Sequence, residues 1–289
     1  MSSVTQQAYL KLRYTLELVK FSHSVFALPF ALSSFLVETR GRFPISLLLW
    51  VLLAVVCART AAMAFNRWAD ARFDAENPRT KNRHIPSNLL SKTYVMVLTL
   101  TASAGFVFCA WKINGLAFAL ALPCLILLFL YSLAKRFTNY TQLILGLCLG
   151  MAPIGAAVAA TGRISPGSLL LGAGVLLWVA GFDLLYALQD LEFDRQKGLG
   201  SLPAKLGTPK TLALAAAFHA LFLVLLAAYG LYQGLGWIYW SGMVFSAAFL
   251  FWQHRLIQEG LHRINAAFFT ANGLLSLFFL VFVALDLYV

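Results

Sequence analysis

Nine apolar stretches, each near the length that crosses a lipid bilayer, constrain the fold of this chain more than any other feature of its sequence. A membrane-spanning helix needs about 20 consecutive apolar residues, because its backbone polar groups find no water to bond inside the bilayer. With 61% hydrophobic and 11% charged residues, the chain also differs strongly in composition from soluble proteins. We therefore expect an all-α, polytopic membrane protein with nine transmembrane helices in one bundle, forming a single domain over residues 1–289. The stretches cover residues 22–38, 44–65, 93–111, 114–132, 140–161, 165–186, 211–230, 236–253 and 266–286.

The basic residues predict the orientation of this bundle. Most of the 22 Lys and Arg residues fall before the first apolar stretch or after the second, fourth and sixth. Such an excess marks the cytoplasmic side of a membrane. We expect an integral membrane protein, in contact with lipid and with its amino terminus in the cytoplasm. The net charge of +11 is accounted for by this bias and by attraction to anionic lipid, so nucleic acid is not expected as a partner.

Carboxylates are scarce, and their placement indicates where the chemistry lies. An ionised carboxylate costs about 2.5–3.5 kcal/mol at the centre of a membrane span, so such groups usually serve a function. Both acidic clusters of this chain end on the predicted cytoplasmic side. Seven of the 11 Asp and Glu residues belong to these clusters: Asp70, Asp74 and Glu76, then Asp183, Asp190, Glu192 and Asp194.

The spacing within each cluster predicts a shared cation site. Asn66, Asp70 and Asp74 are four residues apart and therefore lie on one helix face. A second stripe consists of Asp183, Tyr186, Asp190 and Asp194. Carboxylates held so close repel one another unless a cation intervenes, and Mg²⁺ is typically shared between one or two carboxylates and substrate phosphates. The two stripes therefore predict a clamp that binds a diphosphate through Mg²⁺.

Basic residues near the two clusters are candidates for neutralising phosphate oxygens that Mg²⁺ leaves uncovered. For each of them, contact with lipid headgroups is the alternative interpretation. The candidates are Arg72, Arg83, Lys135, Arg136 and Lys197.

On these residues the chain resembles the UbiA superfamily of intramembrane prenyltransferases. Members carry NxxxDxxxD at the end of the second helix and DxxYxxxDxxxD at the end of the sixth, within a nine-helix bundle, and this chain has both motifs. Residues 81–86 (KNRHIP) are similar to the family's NRP-like turn, and residues 131–136 (YSLAKR) to its YxxxKR segment. The chain departs from many relatives at Arg67 and Trp68, where those have an acidic and an aromatic residue. The resemblance covers essentially the whole chain.

The resemblance implies Mg²⁺-dependent transfer of a polyprenyl group from a polyprenyl diphosphate to a ring carbon of an aromatic acid in quinone biosynthesis. The acceptor favoured by residues 20–30 (KFSHSVFALPF), which look like those of bacterial 4-hydroxybenzoate members, is 4-hydroxybenzoate. A dihydroxynaphthoate of menaquinone biosynthesis is the alternative. The resemblance further implies Asp70, Asp74, Asp190 and Asp194 as Mg²⁺ ligands, directly or through water, with Asn66 and Asp183 orienting them.

Three further residues are candidates with open alternatives. Arg59 lies inside an apolar stretch, seven residues before Asn66, and needs an anion, either a neighbouring carboxylate or that of the aromatic acid. Tyr186 is expected to bond a phosphate or face the allylic cation, or else to anchor the helix at the interface. His84 is a candidate base, although loop histidines are more often inert.

Two other classes of function compete with an enzyme. Intramembrane carboxylates also mark the pathways of cation or proton-coupled transporters. However, only Glu38 and Asp286 carry negative charge near the opposite membrane side, so no acidic path crosses the bilayer. An assembly protein that merely keeps the motifs is disfavoured because every motif aspartate is present.

Overall fold

In a computed structural model of the chain, residues 3–19, 26–258 and 270–289 are described. The regular structure of these residues is helical, which confirms the all-α prediction. Short 3₁₀ turns at Ala134–Arg136 and Leu188–Asp190 follow two of the long helices. The helices are α1 Ser3–Leu18, α2 Leu28–Thr39, α3 Ile45–Ala69, α4 Ala71–Glu76, α5 Lys92–Ile113, α6 Gly115–Leu133, α7 Thr141–Thr161, α8 Pro166–Ala187, α9 Leu191–Lys197, α10 Leu202–Leu206, α11 Thr208–Gln233, α12 Trp237–Gln258 and α13 Asn272–Tyr288.

Within the described residues, six helices are long and apolar enough to cross a membrane: α3, α5, α6, α7, α8 and α11, with the α6 and α8 segments continuing to Arg136 and Lys197. They coincide with the second to seventh predicted stretches. The eighth stretch corresponds to α12, and the first and ninth overlap the shorter apolar helices α2 and α13. Residues 22–25 and 266–269 of those two stretches lie outside the described residues. Six spans are thus supported by length and composition, and the count of nine stays a prediction.

Helix α8 forms the centre of the bundle, with α7 and α11 as its main neighbours. Its Trp178 is completely buried and packs against Phe30 of α2, with ring centroids 5.0 Å apart, and against Phe222 of α11 at 6.1 Å. The ring centroid of Phe279 in α13 lies 4.8 Å from that of Phe30. This aromatic cluster joins α8 to three neighbouring helices and so positions its carboxyl end, which carries the second acidic motif.

Small residues let α7 approach α8 closely. A Cβ atom on Gly150 would collide with the backbone carbonyl of Gly172. Within a membrane, where apolar side chains gain little by leaving lipid, such close backbone contact is a principal source of helix association. The close approach fixes α7, and with it the Lys135–Arg136 turn that precedes α7, beside the end of α8.

Both acidic motifs lie at a break between two helices. Asp70 separates α3 from α4 with φ −91° and ψ 2°, and Asp190 precedes α9 with φ −100° and ψ 5°. These values lie in the bridge region, which active-site residues often occupy. The sequence pattern predicted continuous helical stripes instead. The backbone hydrogen bonds from Asp70 N to Asn66 O and from Asp74 N to Asp70 O still form. The break therefore changes the direction of the chain, while the helical spacing of the first motif is kept.

Candidate active site

The first motif places three polar side chains at the end of α3. The Asn66 amide donates to Asp70 Oδ2 at 3.2 Å, as their spacing of four residues predicts. Asp74, in the first turn of α4, is buried, whereas 30% of the Asp70 side chain is exposed. Burial, followed by the charge of Asp74, raises the pKa of Asp70 above its ordinary value. The environment of this motif therefore disfavours its full negative charge in the absence of a cation.

The second motif descends from the end of α8 into α9. Asp183 and Tyr186 are half-buried within α8, Asp190 is buried in the 3₁₀ turn, and Asp194 in α9 is only 1% exposed. The four residues therefore follow one face from the bilayer toward the connection after α9.

Each of the four aspartates predicted to bind metal is held by a different basic side chain. Burying a carboxylate is unfavourable unless it is paired, so these contacts stabilise the ionised motifs. The pairs are Arg136 with Asp70 at 3.6 Å, Arg83 with Asp74 at 2.7 Å, Arg79 with Asp190 at 2.6 Å and Lys135 with Asp194 at 3.3 Å.

These ion pairs bring the two motifs together. Lys135 and Arg136 are neighbours in one 3₁₀ turn, yet Lys135 reaches the second motif and Arg136 the first. Arg79 crosses from the loop after the first motif to Asp190 in the second. Lys197 of α9 donates to Glu76 of α4 at 2.7 Å. The two motifs, about 110 residues apart in the chain, therefore lie side by side in the structure, as their sequence pattern predicted.

Local structure explains how Arg79 and Lys135 are positioned. The Asn77 side chain accepts a bond from the backbone N–H of Arg79 at 2.9 Å, a turn that Pro78 favours by restricting φ. The backbone carbonyl of Lys135 accepts a bond from Gly200 N at 2.8 Å. A Cβ atom on Gly200 would collide with the carbonyl of Thr138, so glycine is needed for this approach.

Arg79 is the site residue that the sequence interpretation missed. Its guanidinium donates to both oxygens of Asp190, at 2.9 and 2.6 Å, and lies 5.9 Å from the ring centroid of Tyr186. Burial lowers the pKa of Arg79, but the hydrogen bonds and charge of Asp190 outweigh burial and raise it. Its position five residues after Asp74, in a loop rich in basic residues, was the available signal. No sequence pattern indicated that its partner would be Asp190, 111 residues away.

The donor set fits a divalent cation that is shared with a substrate. Asp74 Oδ2 is buried without a hydrogen-bond partner among the described residues, although its carboxylate is ionically paired through Oδ1. In the same part of the chain, no three Asp, Glu, His or Cys side chains are grouped closely enough to hold a metal ion alone. Mg²⁺ is commonly bound by one or two carboxylates together with waters and substrate phosphates, so two carboxylates from the motifs suffice.

Arg72, Lys197 and His84 contact carboxylates other than the four motif aspartates. The Arg72 side chain is 88% exposed, 3.9 Å from Glu76. Lys197 also contacts Glu76, and its hydrogen bond lowers the pKa of that carboxyl. His84 faces α1, where its Nε2 lies 3.2 Å from Glu17. Arg59 is half-buried inside α3, two helical turns before Asn66. The phosphate-binding roles of Arg72 and Lys197 thus stay predictions.

Known proteins are similar to this chain in sequence and in fold. The UbiA prenyltransferase family model matches residues 27–283. A UbiA homolog from Aeropyrum pernix K1, solved in its apo form, superposes with a TM-score of 0.83 at 33% identity, covering 91% of this chain and 98% of the other.

This chain belongs to the UbiA prenyltransferase family. Membership confirms that it is a prenyltransferase enzyme, as its two motifs predicted. Among its UbiA relatives, a 4-hydroxybenzoate octaprenyltransferase of Neisseria meningitidis serogroup B is 29% identical over 74% of this chain and 72% of that protein. The enzyme of the same name from Alkalilimnicola ehrlichii is 31% identical over 77% and 76%. A UbiA homolog from Archaeoglobus fulgidus bound to GPP and Mg²⁺ shares the fold, with a TM-score of 0.72 at 18% identity over 96% and 100% of the two chains.

Proposed function

We propose that this enzyme transfers a polyprenyl group from a polyprenyl diphosphate to a ring carbon of 4-hydroxybenzoate in quinone biosynthesis, with Mg²⁺ as its cofactor. One observation carries the proposal: two acidic motifs meet at one end of the bundle, with four basic side chains interleaved between them. Such a mixture suits a strongly anionic ligand that arrives with a divalent cation. The names of the curated relatives support the aromatic acceptor.

Asp70, Asp74, Asp190 and Asp194 would hold the metal, with Asn66 and Asp183 orienting them. When bound, Mg²⁺ supplies charge that stabilises the departing diphosphate. The buried Asp74 Oδ2 atom, which lacks a hydrogen-bond partner among the described residues, supports this assignment because a buried carboxylate oxygen is costly to leave unsatisfied. The homolog bound to GPP and Mg²⁺ supports a divalent cofactor for the same fold.

The basic side chains would change partners during substrate binding. In the structure they neutralise the motif carboxylates, and Arg79 occupies both oxygens of Asp190. With Mg²⁺ held by these carboxylates, Arg79, Arg83, Lys135 and Arg136 would be free to bind phosphate oxygens. Arginine is suited to this role because its planar guanidinium binds two oxygens at once. The same residues thus stabilise the site before and during the reaction.

The reaction breaks the allylic C–O bond of the diphosphate, forms a bond to a ring carbon of the acceptor and releases the ring proton. Helices α3 and α8 enter the membrane directly from the motifs, so the allylic group would lie among apolar side chains that exclude water. The Tyr186 ring of α8, which lies 5.9 Å from the Arg79 guanidinium, would face this region. We assign Arg59, deeper in α3, to the carboxylate of the aromatic acid.

The proposal includes the membrane topology. Nine transmembrane helices would result if α2, α12 and α13 also cross the bilayer. The acidic motifs would then face the cytoplasm, on the side that carries most Lys and Arg residues, in the inner membrane of a bacterium. A diphosphate, which does not cross lipid, would be released where it is soluble.

The deciding experiment combines the purified protein in nanodiscs with Mg²⁺, a polyprenyl diphosphate and a panel of aromatic acids. Products are identified by mass spectrometry. The expected product is prenylated 4-hydroxybenzoate, abolished by EDTA and restored by Mg²⁺. If only a dihydroxynaphthoate is prenylated, the proposed acceptor is wrong, whereas the proposed prenyl transfer to an aromatic ring stands. No product from any acceptor, while diphosphate still binds, would contradict the proposed transfer to an aromatic acid.

A further inference from the structure

Helix α1 has two apolar faces, and the bundle covers one of them. Its inner face packs through the buried Leu18 and the half-buried Tyr14 against Ile85 and Leu90 of the loop at residues 77–91. On the outer face, Tyr9, Leu12 and Leu16 are exposed by 59, 60 and 48%. At about 100° per residue, these three side chains lie within an arc of about 60°, opposite Leu18. We call them the outer stripe.

The position of α1 relative to the spans indicates what covers the outer stripe. The hydroxyl groups of Thr15 and Tyr94 are 2.9 Å apart, and Lys11 Nζ lies 5.8 Å from the Tyr94 ring centroid. Tyr94 is the third residue of α5, a helix long and apolar enough to cross the membrane. Helix α1 is therefore held at the level where a membrane span meets water, the level at which aromatic and amphipathic residues concentrate.

We propose that α1 is an interfacial helix and that its outer stripe inserts into the lipid of the leaflet beside the acidic motifs. An amphipathic helix lies in a membrane interface with large apolar residues in the acyl boundary and basic residues near the headgroups. Exposed Arg13 supplies such a basic residue beside the outer stripe, about 70° around the helix from its centre. The partner is the phospholipid surface itself.

The lipid-facing helix also reaches the active site. Glu17 and Tyr14 of α1 contact His84, the former at 3.2 Å and the latter with ring centroids 5.7 Å apart. His84 belongs to the same loop as Arg79 and Arg83, which pair with Asp190 and Asp74. Insertion of the outer stripe would therefore hold this loop over the two motifs. This role does not depend on which acceptor the enzyme uses.

Photocrosslinking tests the proposal on the full chain. A benzophenone amino acid replaces Tyr9, Leu12 or Leu16, one at a time, and Gln6, an exposed polar residue of α1, as the matched control. Each variant is reconstituted in phospholipid vesicles, illuminated and analysed by mass spectrometry for lipid adducts. We expect lipid adducts at the three stripe positions in several-fold excess over position 6.

Two outcomes overturn the proposal. Equal, low yields of lipid adduct at all four positions mean that water covers the outer stripe. Crosslinked dimers in place of lipid adducts mean that a second copy covers it. Replacement of Tyr9 is the mildest change because one aromatic side chain replaces another. It therefore gives a reading even if a substitution at Leu12 or Leu16 prevents folding, which size-exclusion chromatography reveals.

Discussion

The carboxylates near the two ends of α8 have different kinds of bonding partner. At the carboxyl end, Asp74, Asp190 and Asp194 bind the tips of Arg and Lys side chains that come from loops and turns. At the amino end, Glu38 accepts a bond from Ser165, the residue that caps α8. On that side of the bundle, Asp286 accepts bonds from the backbone N–H groups of Gly236 and Tyr239 at 2.7 and 3.0 Å.

The difference lies in what can replace each partner. A guanidinium or ammonium can leave a carboxylate when a metal ion takes its place, because both partners are charged and the basic side chain can find a phosphate instead. A backbone N–H at a helix start has no comparable alternative, so its loss costs stability. We therefore expect chemistry at the motif carboxylates that pair with movable cations, and a structural role for Asp286, which caps backbone groups.

The largest effect is expected at the end with the movable cations. Asp70→Asn and Asp190→Asn should each lower turnover by about 10²- to 10³-fold, the size of effect seen when a charge-stabilising group is removed from an active site. Both proteins should remain folded, since an amide of the same shape replaces the carboxylate. Turnover of purified, monodisperse protein is the measurement.

Glu192→Gln is the matched control, because Glu192 lies in α9 between Asp190 and Asp194 but is exposed. It removes one negative charge from the same helix and should leave turnover near wild type. Wild-type rates in Asp70→Asn or Asp190→Asn would refute the two-motif mechanism.

Arg79→Gln tests the exchange of partners directly. If Arg79 binds a phosphate oxygen as proposed, its loss should lower kcat/KM for the diphosphate by about 10- to 100-fold, as expected for a lost charge-assisted hydrogen bond. The substitution also removes the group that competes with Mg²⁺ for Asp190, so the Mg²⁺ concentration for half-maximal activity should fall. Lys81→Gln, at an exposed position of the same loop, is the control. A higher Mg²⁺ requirement in Arg79→Gln would mean that Arg79 supports the metal site instead of competing for it.

Arg59 lies in the middle part of α3, away from both groups of carboxylates compared above. Arg59→Ala should raise KM for the aromatic acid by about tenfold, the value of one ion-paired hydrogen bond, while KM for the diphosphate changes little. Arg59→Lys keeps the charge and should recover part of the loss. Equal changes in both constants would assign Arg59 a structural role.

At the opposite end, Asp286→Ala should destabilise the protein without slowing the chemistry. The backbone N–H groups of Gly236 and Tyr239 would lose their acceptor, at a cost of about 1–2 kcal/mol in the free energy of unfolding. Thermal unfolding in detergent measures this loss, and Asp286→Asn, which keeps one acceptor oxygen, should show less of it. A drop in turnover per folded molecule would erase the contrast between the two ends.

The smallest effect concerns α1. Leu12→Asp combined with Leu16→Asp should lower turnover only a few-fold, because it loosens the loop at residues 77–91 without removing any group that contacts substrate. Hydrogen exchange of that loop should rise in parallel. Gln6→Asp adds charge to the same helix outside the outer stripe and should change neither quantity.

Much of the fold and of the site could be predicted from the chain itself. Apolar length located the six long spans, because a bilayer imposes a minimum length on any helix that crosses it. The spacing of Asn66, Asp70 and Asp74 gave their common face, since helix geometry is local. The breaks at Asp70 and Asp190, however, depend on packing at the helix ends and left no signal in the spacing.

The sequence by itself determined the helical membrane class, the acidic motifs and the family, because hydrophobic length and residue spacing are properties of neighbouring positions. Only the tertiary structure decided which cation meets which carboxylate: Arg79 reaches Asp190, while Lys197 turns to Glu76. It also decided that α1 rests on Tyr94 and His84 with an apolar stripe facing outward. Such pairings join residues tens to over a hundred positions apart, and they follow from how the helices pack around α8.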